Sequence, residues 1–370
     1  MTIKQRVLHG LGWLVAGRGI AQTIRWIATI YVIRLLAPED YGIVAVATVL
    51  FGLLIRLCDA GFGNAVVVSD DTDDRTLGEF FGFLLLVSTG LGLIHLLSAP
   101  LLAAFFNEPR IVPVMQVLSI GIVFTALSII PSALLTKKMK FKRFAIASSI
   151  ATLTGTIVTV ILAYNGYAFW SLIIGQLVTQ LAIAIVFMTA AKCWIMPRLP
   201  RKETMSLISV GSSITAASLL WYVYTKLDVF IAGRLWNSTV LGYYTVPVHL
   251  ARLPAGKVMP LLRKVAMPSF AQIRDNPSAV SYYFRRTFAV GALISFAVFF
   301  GIASVAPTAV PLILGEKWAP STWLMFAVCL GMPFSSLIGL YGPTLQATGH
   351  HKLALANTTL ALLLFLVTFT

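Results

Sequence analysis

Apolar stretches of membrane-spanning length follow one another along this chain, separated by short polar breaks. Each reaches about 20 residues or more, the length a helix needs to cross a hydrocarbon core about 30 Å thick. Their limits predict eleven helices, at about 12–36, 41–66, 78–106, 111–135, 144–164, 168–191, 206–235, 241–270, 286–314, 320–345 and from 353 onward. Barrel strands are disfavoured, because they need only about 9–11 residues and alternate in polarity. The expected fold class is therefore an all-α polytopic membrane protein.

Basic residues gather on alternate breaks. Lys137, Lys138, Lys140, Lys142 and Arg143 form one cluster, and Lys192, Arg198, Arg201 and Lys202 the next. Arg263, Lys264, Arg274, Arg285 and Arg286 form a third, while the breaks between hold little more than Arg34, Arg110, Arg234 or Lys317 at their edges. Positive charge favours the inner side of a membrane, so these clusters and the N-terminus are expected in the cytoplasm.

Composition narrows the picture further. Hydrophobic residues make up 58% of the 370 and charged ones 11%, against about 25% charged in soluble domains. No loop is long enough for an extramembrane domain. The net charge of +15 is divided among short inner loops, which fits orientation and attraction to anionic lipid rather than nucleic acid. Cys58, Cys193 and Cys329 are too scattered for a disulfide framework or a metal spacing. No cofactor motif is present. Lys4 and Arg6 imitate the start of a signal peptide, but Arg18 and Arg25 interrupt the apolar run behind them, so a retained first helix is expected. The acidic run Asp70, Asp71, Asp73 and Asp74 lacks the glycine and glutamate of a calcium loop and is read as the entry to the third helix.

The chain also repeats itself. At a spacing of 200 residues, Arg34-Leu35-Leu36 through Tyr41-Gly42 aligns with Arg234-Leu235-Trp236 through Leu241-Gly242, and Val46 and Leu50 with Val246 and Leu250. A weaker match pairs Pro131, Thr136 and Lys140 with Pro343, Thr348 and Lys352. Helix 1 then corresponds to helix 7, giving two parallel six-helix lobes, at 1–195 and 196–370, the second incomplete. Such lobes are a transporter architecture with the site between the halves.

Ionisable groups inside spans are costly and usually face a bundle interior or a watery cavity. Arg18, Gln22 and Arg25 share one face of helix 1. Arg56 and Asp59 lie one turn apart on helix 2, Tyr222 and Lys226 share a face of helix 7, and Tyr224 and Asp228 another. Helix 8 carries His249, Arg252 and Lys257 among Pro247, Pro254 and Pro260, which mark it for kinking. Each charge also has a plainer reading: Arg18 and Lys257 snorkelling to the interface, Arg56 pairing with Asp59. His95 reads as a packed histidine. Basic groups outnumber Asp59 and Asp228, a balance that attracts an anion and repels an organic cation, and arginine's planar donors suit phosphate. Candidate substrate ligands are Arg18, Gln22, Arg25, Arg56, Lys226 and Arg252. Asp59 and Asp228 are candidates for ion coupling. Trp26, Trp221, Tyr222 and Tyr224 stack on sugar or simply pack.

Leu36-Ala37-Pro38-Glu39-Asp40-Tyr41-Gly42 resembles the loop after the first helix of bacterial polysaccharide exporters. Asp59-Ala60-Gly61, Pro268-Ser269-Phe270-Ala271, Leu314-Gly315-Glu316-Lys317-Trp318 and Gln346-Ala347-Thr348-Gly349 with Lys352 are similar to other recurring segments of that family. The family is the polysaccharide-transport branch of the multidrug/oligosaccharidyl-lipid/polysaccharide exporter superfamily, the Wzx-type flippases. The resemblance implies twelve to fourteen helices in two lobes forming a V, working by alternating access in the bacterial inner membrane. It implies an oligosaccharide unit on undecaprenyl diphosphate, moved between leaflets for exopolysaccharide, capsule or O-antigen synthesis, with membrane lipids and polysaccharide-assembly proteins as partners. It implies no enzymatic activity. This chain departs from the pattern by ending within helix 11, as an incomplete chain would. Two alternatives stay open: a multidrug cation antiporter of the same superfamily, which calls for an acidic cavity, and a membrane glycosyltransferase or polymerase using Glu39 and Asp40 as an acid pair.

Overall fold

The computed structural model describes residues 19, 22–59, 62, 63, 66, 73–199, 212–254, 276–347 and 353. Among them are ten α-helices and no strand. They are α1 (22–35), α2 (Pro38–Asp59), α3 (Asp74–Phe106), α4 (Ile111–Lys137), α5 (Phe141–Tyr164), α6 (Ala168–Ala191), α7 (Ser212–Leu235), α8 (238–254), α9 (Pro277–Leu314) and α10 (Ser321–Ala347). Seven of them, α2–α6, α9 and α10, are long and apolar enough to cross a membrane. The all-helical expectation holds, and the ten helices fall where the first ten were predicted. The expected eleventh lies outside the described residues apart from residue 353. Of the eleven spans expected, these seven have the length and apolar character; α7 is interrupted by Lys226, Asp228 and Arg234.

Helix ends follow from local chemistry. Asp73 caps α3, its carboxylate accepting from the Thr76 amide at 2.8 Å, and hydrogen bonding to the Thr76 side chain and backbone holds its pKa below the ordinary value. The acidic run is thus a helix entry at Asp73 and Asp74; Asp70 and Asp71 lie outside the described residues. α9 begins with Asn276 as cap and a proline in its first turn, where the missing N–H costs no bond. α3 closes through Asn107 in the left-handed region, φ 53°, a conformation asparagine tolerates.

The two aligned stretches take the same local path. One helix ends at residue 35 and its counterpart at 235, two residues break the chain, and new helices start at 38 and 238. The Leu36 amide donates to Val32 O at 3.0 Å, and the Trp236 amide to Ala232 O at 2.8 Å. Each corner then uses a different half of the capping box. At the first, Asp40 accepts from the Ala37 amide at 2.8 Å; at the second, Asn237 accepts from the Val240 amide at 2.9 Å.

The helices form two compact units, Met1–Leu241 and Gly242–Thr370. In the first, α4 is the most enclosed of the seven, packing against α2, α3 and α6. α5 and α6 meet through reciprocal small-residue contacts: a Cβ on Gly155 would lie 1.7 Å from Thr179 Oγ1, and one on Gly175 would lie 1.8 Å from Thr159 Oγ1. Lipid supplies no hydrophobic drive for helices to associate, so close backbone approach of this kind is what binds them. α3 shows the two-faced pattern of such a bundle. His95, Ala99 and Ala103 point inward, while Leu93, Leu97 and Leu101 are exposed, Leu101 by 75%. An outward leucine stripe of that extent suits hydrocarbon, not water. In the second unit α9 and α10 pack through Phe288, Ala292 and Phe296 around Leu337. Trp318 is fully buried and stands edge-on to Tyr243, whose carbonyl accepts from Ser321 Oγ at 3.0 Å.

Candidate functional site

The α1 stripe is described from Gln22 onward; Arg18 lies outside the described residues. Arg25 is exposed, and its guanidinium donates to Gln22 Oε1 one turn earlier. The bond orients one edge of the planar group. Trp26 beside it keeps its ring N–H buried without a bond among the described residues.

The plainer reading of Arg56, a pair with Asp59, finds no direct ion contact among the described residues. Arg56 instead lies over the ring of Tyr222, 4.8 Å from its centre, a cation–π geometry. Gly52 makes this possible: a Cβ there would fall 2.1 Å from the Tyr222 hydroxyl. Through that gap the hydroxyl donates to Val49 O at 2.9 Å and pins α7 to α2. Lys226 follows one turn after Tyr222 on the same face of α7, half-buried. The structure thus brings Arg56 to the α7 face that carries Lys226, a juxtaposition the sequence pattern did not announce. Tyr222 is buried and packed, and its ring is also the seat of Arg56. Arg252 is exposed on α8 in the second unit, and Lys257 lies outside the described residues.

The two acidic candidates differ. Asp228 is half-buried, its Oδ1 accepting from the Val229 amide at 2.8 Å. Asp59 is exposed at the edge of a cavity of about 410 Å³. Ile55, Gly63 and Phe144 line it from outside α4, and α4 gives it Ile129 and Ala133 together with a row of hydroxyls, Thr125, Ser128, Ser132 and Thr136. Sequence reading missed this row, although spacings of three and four residues place all of it on one helix face.

A second feature unforeseen in the sequence joins the two corners. Gly42 packs directly on the Ser238 backbone, with a would-be Cβ 1.8 Å from Ser238 O. Glu108, in the α3–α4 loop, accepts from Ser238 Oγ at 2.7 Å and from Arg110 Nε at 2.7 Å, and Arg110 reaches on to Glu39. Arg110 and Ser238 hold the Glu108 carboxyl below its usual range. Glu108 and Glu39 push the Arg110 guanidinium above its own. Asp40 is buried, with Oδ2 on the Ala37 amide and Oδ1 on the Phe169 amide at 3.1 Å. Glu39 and Asp40 are therefore committed to separate structural contacts rather than gathered as an acid pair. His95 is fully buried, Nδ1 lying 3.1 Å from both Met115 O and Ser119 Oγ, as a packed histidine. Among the described residues no cluster of His, Cys, Asp or Glu could hold a metal ion.

Comparison with known proteins gives a consistent result. The sequence profile of the polysaccharide biosynthesis protein family matches residues 31–323. The lipopolysaccharide biosynthesis protein WzxC of Escherichia coli K12 is 24% identical over 359 residues, covering 91% of this chain and 70% of WzxC. The succinoglycan biosynthesis transport protein ExoT of Rhizobium meliloti is 22% identical over 347 residues, covering 93% of this chain and 69% of ExoT. Among solved structures, the lipid II flippase MurJ in an inward closed conformation superposes with a TM-score of 0.72 at 13% identity, covering 93% of this chain and 78% of MurJ. An inward-facing multidrug resistance transporter of the MATE family gives 0.64 at 15% identity, covering 91% of this chain and 83% of the transporter. At such identities the two structures speak for the fold alone.

Proposed function

Because this chain belongs to the polysaccharide biosynthesis protein family, we propose that it is a flippase of the bacterial inner membrane that moves an oligosaccharide carried on undecaprenyl diphosphate from the inner to the outer leaflet. It is a multi-pass membrane protein of polysaccharide biosynthesis, and its relatives include a named transport protein. The observation that carries the finer reading is the exposed Arg25 guanidinium, oriented by Gln22 within an apolar helix. The planar fork of donors on a guanidinium suits a diphosphate. Arg56 on Tyr222, with Lys226 one turn away, adds a second cationic position in the same unit. Arg18 and, separately in the second unit, Arg252 are further proposed substrate ligands.

The protein supplies no covalent chemistry in this reading. It offers a cationic path for diphosphate and sugar while the lipid tail stays in the bilayer. Lobes of residues 1–195 and 196–370, rocking against each other, expose that path to one side and then the other. The N-terminus is cytoplasmic, and Asp228 or Asp59 couples the cycle to a proton or sodium gradient. Polysaccharide-assembly proteins receive the product. The drug-antiporter alternative shares the fold, but its cation is poorly served by Arg25, Arg56 and Lys226. The commitments of Glu39 and Asp40 weigh against the transferase alternative.

The test is complementation of polymer export in a flippase-null strain with membrane abundance measured in parallel. Arg25→Ala should abolish most export at normal abundance. Arg25→Lys should restore part of it, because charge survives and bidentate geometry does not. Full export by Arg25→Ala would remove the assignment.

A further inference from the structure

The cavity beside Asp59 offers one kind of polar atom to a ligand. Each hydroxyl on its α4 wall spends its proton on that helix's own backbone. Thr125 donates to Gly121 O at 2.9 Å, Ser128 to Thr125 O at 2.8 Å, Ser132 to Ile129 O at 2.8 Å and Thr136 to Ser132 O at 2.9 Å. The oxygens are left to the cavity as acceptors, and an ionised Asp59 is also an acceptor only. A ligand that satisfies this wall must bring donors.

Geometry decides between the two classes of donor-bearing or cationic ligand. From Thr125 to Thr136 the row runs roughly 16 Å along the helix. A metal cation needs its oxygens gathered at about 2.5 Å from one point, and a row of this length cannot supply such a cage. A chain of sugar rings matches it, because each ring presents hydroxyls along its edge at successive positions. The apolar lining suits the C–H face of a pyranose: Ile55 comes from α2 and Phe144 from α5, while Ile129 and Ala133 lie beside the hydroxyls on α4 itself. The volume of about 410 Å³ is also far larger than an ion requires.

We propose that this cavity is a saccharide subsite, in which Thr125, Ser128, Ser132, Thr136 and Asp59 accept hydrogen bonds from the hydroxyls of the transported oligosaccharide. The inference rests on the flippase reading above and deepens it, by separating a sugar-reading wall on α4 from the arginines that hold diphosphate. It gives Asp59 a role in substrate recognition and leaves ion coupling to Asp228.

Native mass spectrometry or surface plasmon resonance on the full chain tests it with two probes. One is bare undecaprenyl diphosphate; the other is the same lipid carrying the oligosaccharide unit of the host strain. The wild type should bind the glycosylated lipid roughly tenfold more tightly, the effect of one or two net hydrogen bonds. The triple variant T125V/S132A/T136V, which preserves shape closely, should lose that preference while binding the bare lipid as the wild type does. Asp59→Asn, a smaller change, should reduce the preference in part, and helix content by circular dichroism checks the fold of both variants. A preference that survives in both variants, or a wild type that binds the two lipids equally, overturns the subsite and leaves the carrier reading standing. Binding of neither lipid by the wild type sinks the carrier reading and this inference with it.

Discussion

Replacing Gly52 by alanine should loosen the α2–α7 contact, and removing the Tyr222 hydroxyl should partly undo the damage. The added Cβ would sit 2.1 Å from the hydroxyl and 2.8 Å from the ring carbon that bears it. Tyr222 must therefore withdraw, losing its bond to Val49 O and its seat under Arg56. The bond contributes about 0.5–1.5 kcal/mol and the cation–π contact about 0.5–2 kcal/mol. With the strain of overpacking, Gly52→Ala should cost about 2–3 kcal/mol. Tyr222→Phe removes the bond alone and should cost about 1 kcal/mol. Additivity would put the double variant at about 3–4 kcal/mol. The phenyl ring, however, relieves the worst of the clash, so the double variant should fall near 2 kcal/mol, with about 1 kcal/mol or more of coupling. For a unit of 241 residues, each kcal/mol moves the melting temperature by about 2–4 °C. The buried free thiols of Cys58, Cys193 and Cys329 supply the assay, since a thiol-reactive fluorophore reports their exposure on heating in detergent. Additive shifts, or a Gly52→Ala protein that melts like the wild type, would refute the packing argument.

Other consequences are simpler to read out. Glu108 is held below its ordinary carboxylate pKa, so its contribution is present above that value and is lost as pH falls through the folded one. Melting temperature followed downward from neutral pH should therefore drop on the acid side, and Arg110→Gln should flatten part of that drop. Asp40→Asn leaves one of two backbone amides, Ala37 or Phe169, without its acceptor; it should lower stability by about 1 kcal/mol, seen as reduced membrane abundance. Export per molecule should change little, whereas loss of a sugar-transfer activity in purified protein would revive the enzyme alternative. For the topology, cysteines introduced at Asn107 and Lys138 should label from opposite sides of the membrane, outer and inner respectively. Labelling of both from one side would overturn the orientation.

How much of the molecule is legible in its sequence depends on how far each signal reaches along the chain. Helices were legible because apolar length is a local property, and α6 was placed to the residue, 168–191, from its flanking polar breaks. The helix-1 stripe was legible for the same reason: Gln22 and Arg25 meet because three residues nearly complete a turn. Partnership across helices was not. Arg56 and Asp59 share a turn, so local reasoning offered a pair as the plain alternative, but the guanidinium sits on α7, over the ring of Tyr222. Nothing in the spacing of α2 announces an aromatic ring about 170 residues away in sequence. The clue was Gly52, a residue with no reason to interrupt an apolar helix unless something must come close. Gly42 carries the same message at the corner, where the Ser238 backbone fills the space of its missing side chain. The repeat aligned these two corners by their shared break, and the structure adds that they touch. Glycines at close crossings and hydroxyls in register along α4 are thus the sequence marks that a charge-led reading passes over. Charge identifies which groups cost most to bury, while small and weakly polar residues record where backbone and ligand come near.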